Sequence, residues 1–353
     1  MIKVAALTSG RNVPSARFRV RQHIEPLRNS GIHVSEYIPA IDKFAPTPRL
    51  VTFPDSMYLN VVKGAWKCVK VSTRVPGIIG SWKAKITWLE RELHPGILTF
   101  EPLLKHPIVL DVDDAIWLTR PFGRMAAIRI AKAADVVLAG NNHIAQWFSR
   151  YAKDVRIVPT AVDTDRIRPK NLQGPRPSHS RFVIGWTGTS SNYTSLYQIE
   201  KALKEFLKNH EAELLVIADR PPRFSELKPD RVRYVKWHRD MEIGLLDQMD
   251  VGLMPLLSDE WSLGKCSFKM LQYMAAGLPV VVSPVGMNVE VLSLGDIGFP
   301  AVTQDDWYEA LSSLYHDPSL AHRYGAKGRL IVEKHFSRSL VSTILAGVFQ
   351  ELS

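Results

Sequence analysis

The segment from Gly264 to Gly286 carries side chains whose types and spacing suit the binding of an anion. Its apolar residues recur at helical spacing, which predicts a helix over Phe268–Ala276 that ends at Gly277. Lys265 and Lys269 lie near the start of this helix, where backbone N–H groups and a partial positive charge already favour an anion. Two lysines there oppose the helix dipole unless a ligand compensates them. The pattern predicts a diphosphate site, and a solvated basic helix is the alternative.

A second candidate lies where the strand predicted over Phe182–Trp186 runs into Gly188, Thr189 and Ser190. Glycine lets backbone N–H groups approach a phosphate closely, and the hydroxyls that follow can add hydrogen bonds. A tight loop without a ligand is the alternative. Trp237 follows another predicted strand, and its ring could stack on a nucleobase or pack in the core.

Acidic residues in the first half follow the strand predicted over Ile108–Asp111. Asp111, Asp113 and Asp114 repel one another unless they are solvated or paired, so we expect them at the carboxyl end of the strand, in a cleft. Asp113 and Asp114 could bind sugar hydroxyls or orient an acceptor there, and they are the candidate catalytic residues. A helix N-cap and a Mg²⁺ site are the alternatives.

Three arginines follow the first predicted strand, namely Arg17, Arg19 and Arg21. Arg17 and Arg21 are about one helical turn apart, whereas Arg19 points elsewhere. Because guanidinium groups suit phosphate and carboxylate, these arginines are candidate acceptor-binding residues. A solvated basic helix face is the alternative.

The segment from Lys63 to Trp88 interleaves basic residues with tryptophan. This mixture is typical of surfaces that lie at a membrane interface, and it would also suit a lipid-diphosphate acceptor. Solvated helices around a core are the alternative. The residues concerned are Trp66, Lys67, Lys70, Arg74, Trp82, Lys83, Lys85 and Trp88.

Length and composition bound these interpretations. The 353 residues are too many for one core, and the apolar (46%) and charged (23%) shares are those of a globular protein, so we expect two domains. The net charge of +10 suits phosphorylated ligands or an anionic membrane, whereas no zinc-finger, RNA-recognition or basic-helix signature supports nucleic acid. No apolar run is long enough to span a membrane, Met1–Thr8 indicates a strand rather than a signal peptide, and Cys68 and Cys266 fit a reduced cytoplasmic protein.

Short apolar runs alternate with longer amphipathic stretches, which predicts α/β units with parallel sheets. We expect an N-terminal domain over 1–168, joined by a linker at Arg168–Ser178 to a C-terminal domain over 179–336, and a last helix within 337–353 that packs back on the first domain. The cleft between the two domains is the expected active site. Strands are predicted at Val4–Thr8, Val34–Tyr37, Ile97–Phe100, Ile108–Asp111, Val136–Ala139, Val155–Val158, Phe182–Trp186, Leu214–Ala218, Arg233–Val235, Val251–Met254 and Pro279–Ser283.

The segment Gly264–Gly286 resembles the donor-site motif of family 4 retaining glycosyltransferases of the GT-B fold. Gln272–Val281 matches the second half of that motif, A-M-A-x-G-x-P-V-V. Gly264 and Gln272 stand where the family has two acidic residues. A subgroup with the motif G-K-C-x-F-K-x-L-Q-Y-M-A, preceded by D-x-W-S, is more similar, and Asp259–Ser262 fits that preceding element.

This resemblance implies a GT-B fold of two tandem Rossmann-like domains, a nucleotide-diphosphate-sugar donor, and no cofactor or bound metal. It implies that the backbone N–H groups of Ser267 and Phe268 and the ammonium of Lys269 stabilise the leaving diphosphate, while Gln272 holds the ribose. The full set of implied donor-binding residues is Gly188, Thr189, Ser190, Trp237, Lys265, Ser267, Phe268, Lys269 and Gln272.

We therefore predict a retaining, metal-independent glycosyltransferase that acts on a glycan, a lipid-linked or a small-molecule acceptor. It would lie in the cytoplasm or at the inner face of the membrane. A non-catalytic nucleotide-sugar-binding subunit and a GT-B nucleotide-sugar epimerase are the alternatives. A nicotinamide-dependent dehydrogenase is disfavoured, because no G-x-G-x-x-G follows the first strand.

Overall fold

The computed structural model describes residues 1–47, 56–169, 181–238 and 241–353, and in the helix that begins at Ser56 it describes side chains from residue 62. The chain forms two compact units. The first comprises Met1–Ala161 and Arg338–Ser353, and the second comprises Val162–Ser337. Most of the predicted linker, Arg168–Ser178, lies outside the described residues.

The first unit is built on one parallel sheet. Its strands are β1 (Ile2–Leu7), β2 (Ile32–Tyr37), β3 (Ile86–Glu90), β4 (Ile108–Val112), β5 (Val136–Ala139) and β6 (Val155–Ile157). They are ordered β2-β1-β3-β4-β5-β6. The helices between them are α1 (Ile24–Asn29), α2 (Ser56–Ser72), α3 (Val75–Trp82), α4 (Gly123–Ala133) and α5 (Asn142–Phe148).

The central strands β3, β4 and β5 are buried along their whole length, because helices cover a parallel sheet on both faces. Two sequence-based expectations are wrong here. The strand predicted at Ile97–Phe100 is not formed, since Gly96 adopts a positive φ of 71° and turns the chain. The strand β3 begins inside the segment Lys63–Trp88, for which no strand was predicted, and it places Trp88 in the core.

The apolar spacing of Phe18–Asn29 predicts a single helix, and this prediction is also wrong. The chain instead forms a π-helical turn at Ala16–Val20 and a 3₁₀ turn at Arg21–His23 before α1 begins. Pro26 explains where α1 can begin, because proline lacks the N–H group that an α-helix needs beyond its first turn. The arginines of this region therefore do not lie on one regular helix face.

The second unit is built on another parallel sheet. Its strands are β7 (Phe182–Thr187), β8 (Ala212–Ala218), β9 (Val232–Lys236), β10 (Val251–Met254), β11 (Val280–Val282) and β12 (Gly298–Pro300). They are ordered β12-β11-β10-β7-β8-β9. The helices are α6 (Tyr193–Tyr197), α7 (Glu200–Asn209), α8 (Glu242–Leu246), α9 (Glu260–Leu263), α10 (Phe268–Ala275), α11 (Met287–Leu292), α12 (Gln304–His316) and α13 (Pro318–His335).

The apolar spacing of Leu196–Asn209 predicts one helix, but the chain is broken there between α6 and α7. The side chain of Gln304 occupies the break, where its Nε2 donates to the carbonyl oxygen of Gln198 at 2.6 Å and its Oε1 accepts from the N–H of Ala202 at 2.9 Å. Since these bonds come from a distant residue, local periodicity could not reveal the break.

The last helix, α14 (Arg338–Glu351), packs on the core of the first unit. The ring of Phe349 meets Trp88 edge-on with 5.1 Å between centroids. Ser342 Oγ lies 2.7 Å from Nδ1 of His23, whose pKa burial lowers to about 3, so that this buried contact is made by a neutral imidazole. Both ends of the chain thus contribute to one core.

Candidate functional site

The carboxyl end of β7 and the start of α10 bring two predicted donor-site residues together, Gly188 and Lys269. The ammonium of Lys269 lies over the ring of Trp186, 4.8 Å from its centroid. A methyl group at Gly188 would lie 2.6 Å from Lys269 Nζ and 2.4 Å from the Trp186 ring, so only glycine fits there. The glycine loop and the helix lysine are therefore direct neighbours.

Lys269 is held in an environment that disfavours its own charge. Burial, and then the nearby charge of Lys265, lower the pKa of Lys269 to about 7. No carboxylate among the described residues forms an ion pair with Lys269. A dianionic ligand beside it would stabilise the protonated amine and supply the missing counter-charge.

Ser267 shapes the start of α10 through its backbone. It adopts the left-handed conformation, with φ 49° and ψ 22°, and its hydroxyl donates to Oδ1 of Asn288 at 2.7 Å. Asn288 in turn donates to the carbonyl oxygen of Ser283 at 2.9 Å. The hydroxyl of Ser267 is therefore engaged within the protein, which leaves backbone N–H groups of Ser267, Phe268 and Lys269 as the helix-start donors.

Gln272 has a partner that the sequence analysis did not identify. Its Nε2 donates to Oε1 of Glu242, at the start of α8, at 3.1 Å. Gln272 is almost fully buried, whereas Glu242 is half-buried. The carboxylate of Glu242 thus lies next to Gln272, which stands where the motif of the family has an acidic residue. An acidic residue at a helix start was visible in the sequence, but its distance from Gln272 was not.

The loop after β7 is fixed by hydrogen bonds inside the second unit. The N–H and hydroxyl of Ser190 donate to the two oxygens of Asp219, at 2.6 and 2.9 Å. Burial opposes the charge on Asp219, but these bonds outweigh it and lower the pKa of Asp219. Thr189 Oγ1 lies 2.8 Å from Ser191 Oγ. Ser190, predicted to bind the donor, is thus placed as a support of the loop, since both its donors are used.

Tyr273, in α10, fixes the last residue of β7 through hydrogen bonds. Its hydroxyl accepts from the N–H of Thr187 at 2.8 Å and lies 3.3 Å from Thr187 Oγ1, and burial raises its pKa to about 12. Sequence analysis missed this positioning role because the apolar spacing of α10 marks Tyr273 only as a core residue. The predicted base-stacking residue Trp237 follows β9 and is 40% exposed, so its ring is available to a ligand rather than packed in the core.

In the first unit, the candidate catalytic carboxylates share one arginine. Arg91 binds Asp113 at 2.5 Å and Asp114 at 3.0 Å. Burial alone would raise the pKa of Asp113, but Arg91 outweighs it and holds this pKa below its usual range. The carboxylates are thus paired, as their mutual repulsion requires, and their catalytic role stays a prediction. The described residues contain no cluster of three His, Cys, Asp or Glu side chains suited to a metal ion.

Two of the three candidate acceptor arginines are also engaged with acids. Arg19 is buried and binds Asp111 at 2.7 Å, and burial raises the pKa of Asp111 to about 6 even beside that arginine. Arg21 forms a two-point contact with Glu36 at 2.9 and 2.6 Å. Arg17 is half-buried, with its guanidinium 4.6 Å from the Phe18 ring centroid. Arg19 and Arg21 are thus neutralised within the unit, and acceptor binding by these arginines stays a prediction.

The predicted membrane-interface segment divides into a buried and an exposed part. Trp88 is fully buried in β3, which removes it from any interface. Trp82, in contrast, is 63% exposed at the end of α3, and its Nε1 donates to the carbonyl oxygen of Leu103 at 2.9 Å. No helix among the described residues has both the length and the apolar character needed to cross a bilayer. Cys68 is exposed and Cys266 is buried, and neither forms a disulfide.

Comparison with known proteins agrees with the architecture. Residues 181–317 match the family model described as glycosyl transferases group 1. No curated protein sequence gives a significant match to the chain. Among solved structures, sucrose-phosphate synthase from Thermosynechococcus elongatus superposes with a TM-score of 0.70 at 14% identity, covering 100% of this chain and 99% of that one.

Two further structures show the same similarity. HepE of Anabaena, solved with UDP-glucose, has a TM-score of 0.69 at 12% identity and covers 99% of this chain and 100% of its own. The UDP-forming α,α-trehalose-phosphate synthase of Burkholderia xenovorans has a TM-score of 0.67 at 13% identity, covering 100% and 99%. The two six-stranded parallel sheets and these superpositions over the whole chain show the GT-B fold, and the group 1 glycosyl transferase match covers residues 181–317 of the second unit.

Proposed function

We propose that the second unit binds a nucleotide-diphosphate sugar and that the enzyme transfers its sugar with retention and without a bound metal. The observation that carries this proposal is the ammonium of Lys269, which lies over Gly188 without a carboxylate partner among the described residues. A diphosphate at the start of α10 would meet both this ammonium and the helix N–H groups. HepE of Anabaena, solved with UDP-glucose, makes a uridine nucleotide the first donor to test.

The proposed roles follow from the contacts. Lys269 and the N–H groups at the start of α10 stabilise the charge that develops on the leaving diphosphate. Gln272 and Glu242 together hold the ribose hydroxyls, and the exposed ring of Trp237 stacks on the base. Lys265 adds charge beside Lys269. Gly188 and Thr189 line the diphosphate, while Ser190 supports their loop.

The proposed chemistry has no protein nucleophile. The acceptor hydroxyl attacks the anomeric carbon on the face that the diphosphate leaves, so that the configuration is retained. The new bond forms between the acceptor oxygen and the anomeric carbon, while the bond from that carbon to the phosphate oxygen breaks. The departing phosphate takes the proton of the acceptor hydroxyl. In this scheme Asp113 and Asp114, ion-paired with Arg91, keep the sheet edge of the first unit in place rather than transferring protons.

A screen of UDP-, GDP- and dTDP-sugars tests the proposal. Purified protein with EDTA present should slowly hydrolyse one of these donors and release its nucleoside diphosphate. Tight binding of a donor without turnover, even with lipid extract added as acceptor source, would instead favour the non-catalytic binding subunit. That alternative gains some support from Gly264 and Gln272, which stand where carboxylates are expected. Conversion of the sugar without transfer would indicate an epimerase.

We also propose that the first unit contacts the inner face of an anionic membrane through α3. Val75, Ile79 and Trp82 are exposed along one side of this helix, and Lys83 and Lys85 follow it. All acids between residues 62 and 105 are buried, so the surface there carries only positive charge. Trp82→Ser should weaken binding to phosphatidylglycerol vesicles, whereas Val302→Ser, an exposed apolar position of the second unit, should not. Equal binding by both variants would remove α3 from the membrane contact.

A further inference from the structure

An open groove of about 580 Å³ lies beside α4, on the chain that leaves the carboxyl end of β4. Its apolar surface comes from Trp117, Phe122, Met125 and Ile128. Phe122 and Met125 are 58% and 46% exposed, so large apolar side chains face solvent in a concave site. Such exposure is a cost to the unbound protein, and a hydrocarbon ligand would remove it.

Four cations line the same groove, namely Arg120, Arg124, Arg129 and Lys132. None of them forms an ion pair with a carboxylate among the described residues. The acids that flank this segment in the sequence are engaged elsewhere, since Asp113 and Asp114 are bound to Arg91 and Asp135 lies 2.7 Å from Nδ1 of His106. Arg19 and Arg91, at the same edge of the sheet, are each paired with an acid, whereas these four cations are not. Their positive charge therefore favours an anionic ligand.

The walls of the groove are held in place before any ligand binds. Trp117 stacks on Trp147 with 4.5 Å between ring centroids and an interplanar angle of 7°. The N–H of Phe122 donates to the carbonyl oxygen of Gly96 at 2.9 Å, and the N–H of Gly123 donates to that of Thr119 at 2.8 Å. Because these contacts fix the loop, little conformational entropy remains to be lost on binding.

We infer that this groove binds a phosphorylated amphiphile, in which a hydrocarbon chain lies on the apolar surface and a phosphate or diphosphate meets the arginines. As the acceptor site it rests on the proposed glycosyl transfer, and it narrows the acceptor from a glycan, a lipid-linked or a small-molecule compound to a lipid-linked compound that carries both a phosphate and the hydroxyl to be glycosylated. The combination of apolar and cationic side chains in one groove favours a phosphorylated amphiphile over a sugar phosphate or a neutral lipid. A sugar phosphate would leave the exposed Phe122 and Met125 uncovered, and a neutral lipid would leave the cations without a counter-charge.

The test is calorimetric titration of the full chain with octyl phosphate, octyl glucoside, inorganic phosphate and glucose 6-phosphate, below micelle-forming concentrations. Octyl phosphate should bind at least about tenfold more tightly than each of the other three, since only it satisfies both parts of the groove. Arg124→Glu and Met125→Asp should each weaken octyl phosphate binding about tenfold. Arg150→Glu, which alters an exposed arginine of the same unit away from the groove, is the matched control and should leave it unchanged.

The outcomes separate this inference from the proposed function. Equal octyl phosphate affinity in Arg124→Glu and Arg150→Glu would overturn the groove as the site, and glucose 6-phosphate binding as tightly as octyl phosphate would overturn the amphiphile. UDP affinity is measured in the same samples and should be unchanged in Arg124→Glu. Octyl phosphate binding without any binding of a nucleotide would support the groove while removing the proposed donor site.

Discussion

The carboxyl-end edges of the two sheets handle charge in opposite ways. In the first unit, basic and acidic side chains neutralise each other, as Arg19 does with Asp111 and Arg91 with Asp113 and Asp114. In the second unit, Lys269 is half-buried beside the ring of Trp186 and near Lys265, with no carboxylate partner among the described residues. The ion pairs around β4 are complete without a ligand, whereas the start of α10 lacks a negative charge that a ligand can bring.

This difference separates charged residues that stabilise the fold from charged residues that are suited to bind a ligand. A buried ion pair loses the free energy of hydration on folding. The attraction between its two partners offsets this loss only while both partners are present. A buried ammonium without a partner lowers stability in the free protein, and a bound anion reverses that cost. The same residue types therefore predict opposite effects of mutation in the two units.

The largest effect should come from Arg19→Met in the first unit. It leaves Asp111 buried without its cation and should lower the free energy of unfolding by about 3–5 kcal/mol. Urea denaturation measures it. Adding Asp111→Asn, which keeps an oxygen for the Nε1 of Trp88, should restore most of the loss. If the single variant lost no more than Lys204→Met, which breaks an exposed pair with Glu226, the first edge would not depend on pairing.

In the second unit, Lys269→Ala should weaken UDP binding by about 1.5–3 kcal/mol, the range for a hydrogen bond to a charged group. Stability should not fall, because the variant removes an ammonium that has no carboxylate partner among the described residues. Calorimetry gives the affinity and urea denaturation gives the stability. Loss of stability with unchanged affinity would reverse the comparison and make Lys269 structural.

The pH dependence of binding should follow from the lowered pKa of Lys269, which is about 7 in the free protein. A bound diphosphate favours the protonated amine and raises this pKa. The contribution of Lys269 to UDP affinity should therefore be greatest below pH 7, where the amine is already protonated in the free protein, and fall by up to about tenfold per pH unit above it. Lys269→Arg stays charged over this range and should remove the dependence. An equal slope in both proteins would assign the titration to another group.

The smallest effect should come from Glu242→Gln, which keeps the size of the side chain but removes the charge next to Gln272. We expect UDP binding to weaken by about 0.5–1.5 kcal/mol, as for one hydrogen bond. The loss should be smaller for 2′-deoxy-UDP if the ribose is the group concerned. An equal loss for both nucleotides would place Glu242 away from the ribose.

The strands and the α10 segment could be predicted because their signal is local. The run Val136–Ala139 and the stop at Gly277 follow from β-branched residues and from glycine at a helix end. The strand β3 was missed, since its tryptophan and flanking lysines resemble an amphipathic surface until Trp88 is seen in the core.

The electrostatic partners could not be predicted, because they join positions far apart in the chain. Arg19 and Asp111 are 92 residues apart, and Gln272 and Glu242 are 30 apart. The sequence shows that Asp113 and Arg21 are charged, but not whether each binds a ligand or another side chain of the protein. Only the fold shows that Asp113 is paired with Arg91 and Arg21 with Glu36.

The contact between Trp88 and Phe349 has a consequence for how the chain is made. The sheet of the first unit is fully synthesised at Ile157, but the helix that covers its core follows the whole second unit. The second unit is continuous in sequence, so it can fold as soon as it leaves the ribosome, while the first unit stays open. The core around Trp88 can therefore be completed only after residues 338–353 have been synthesised.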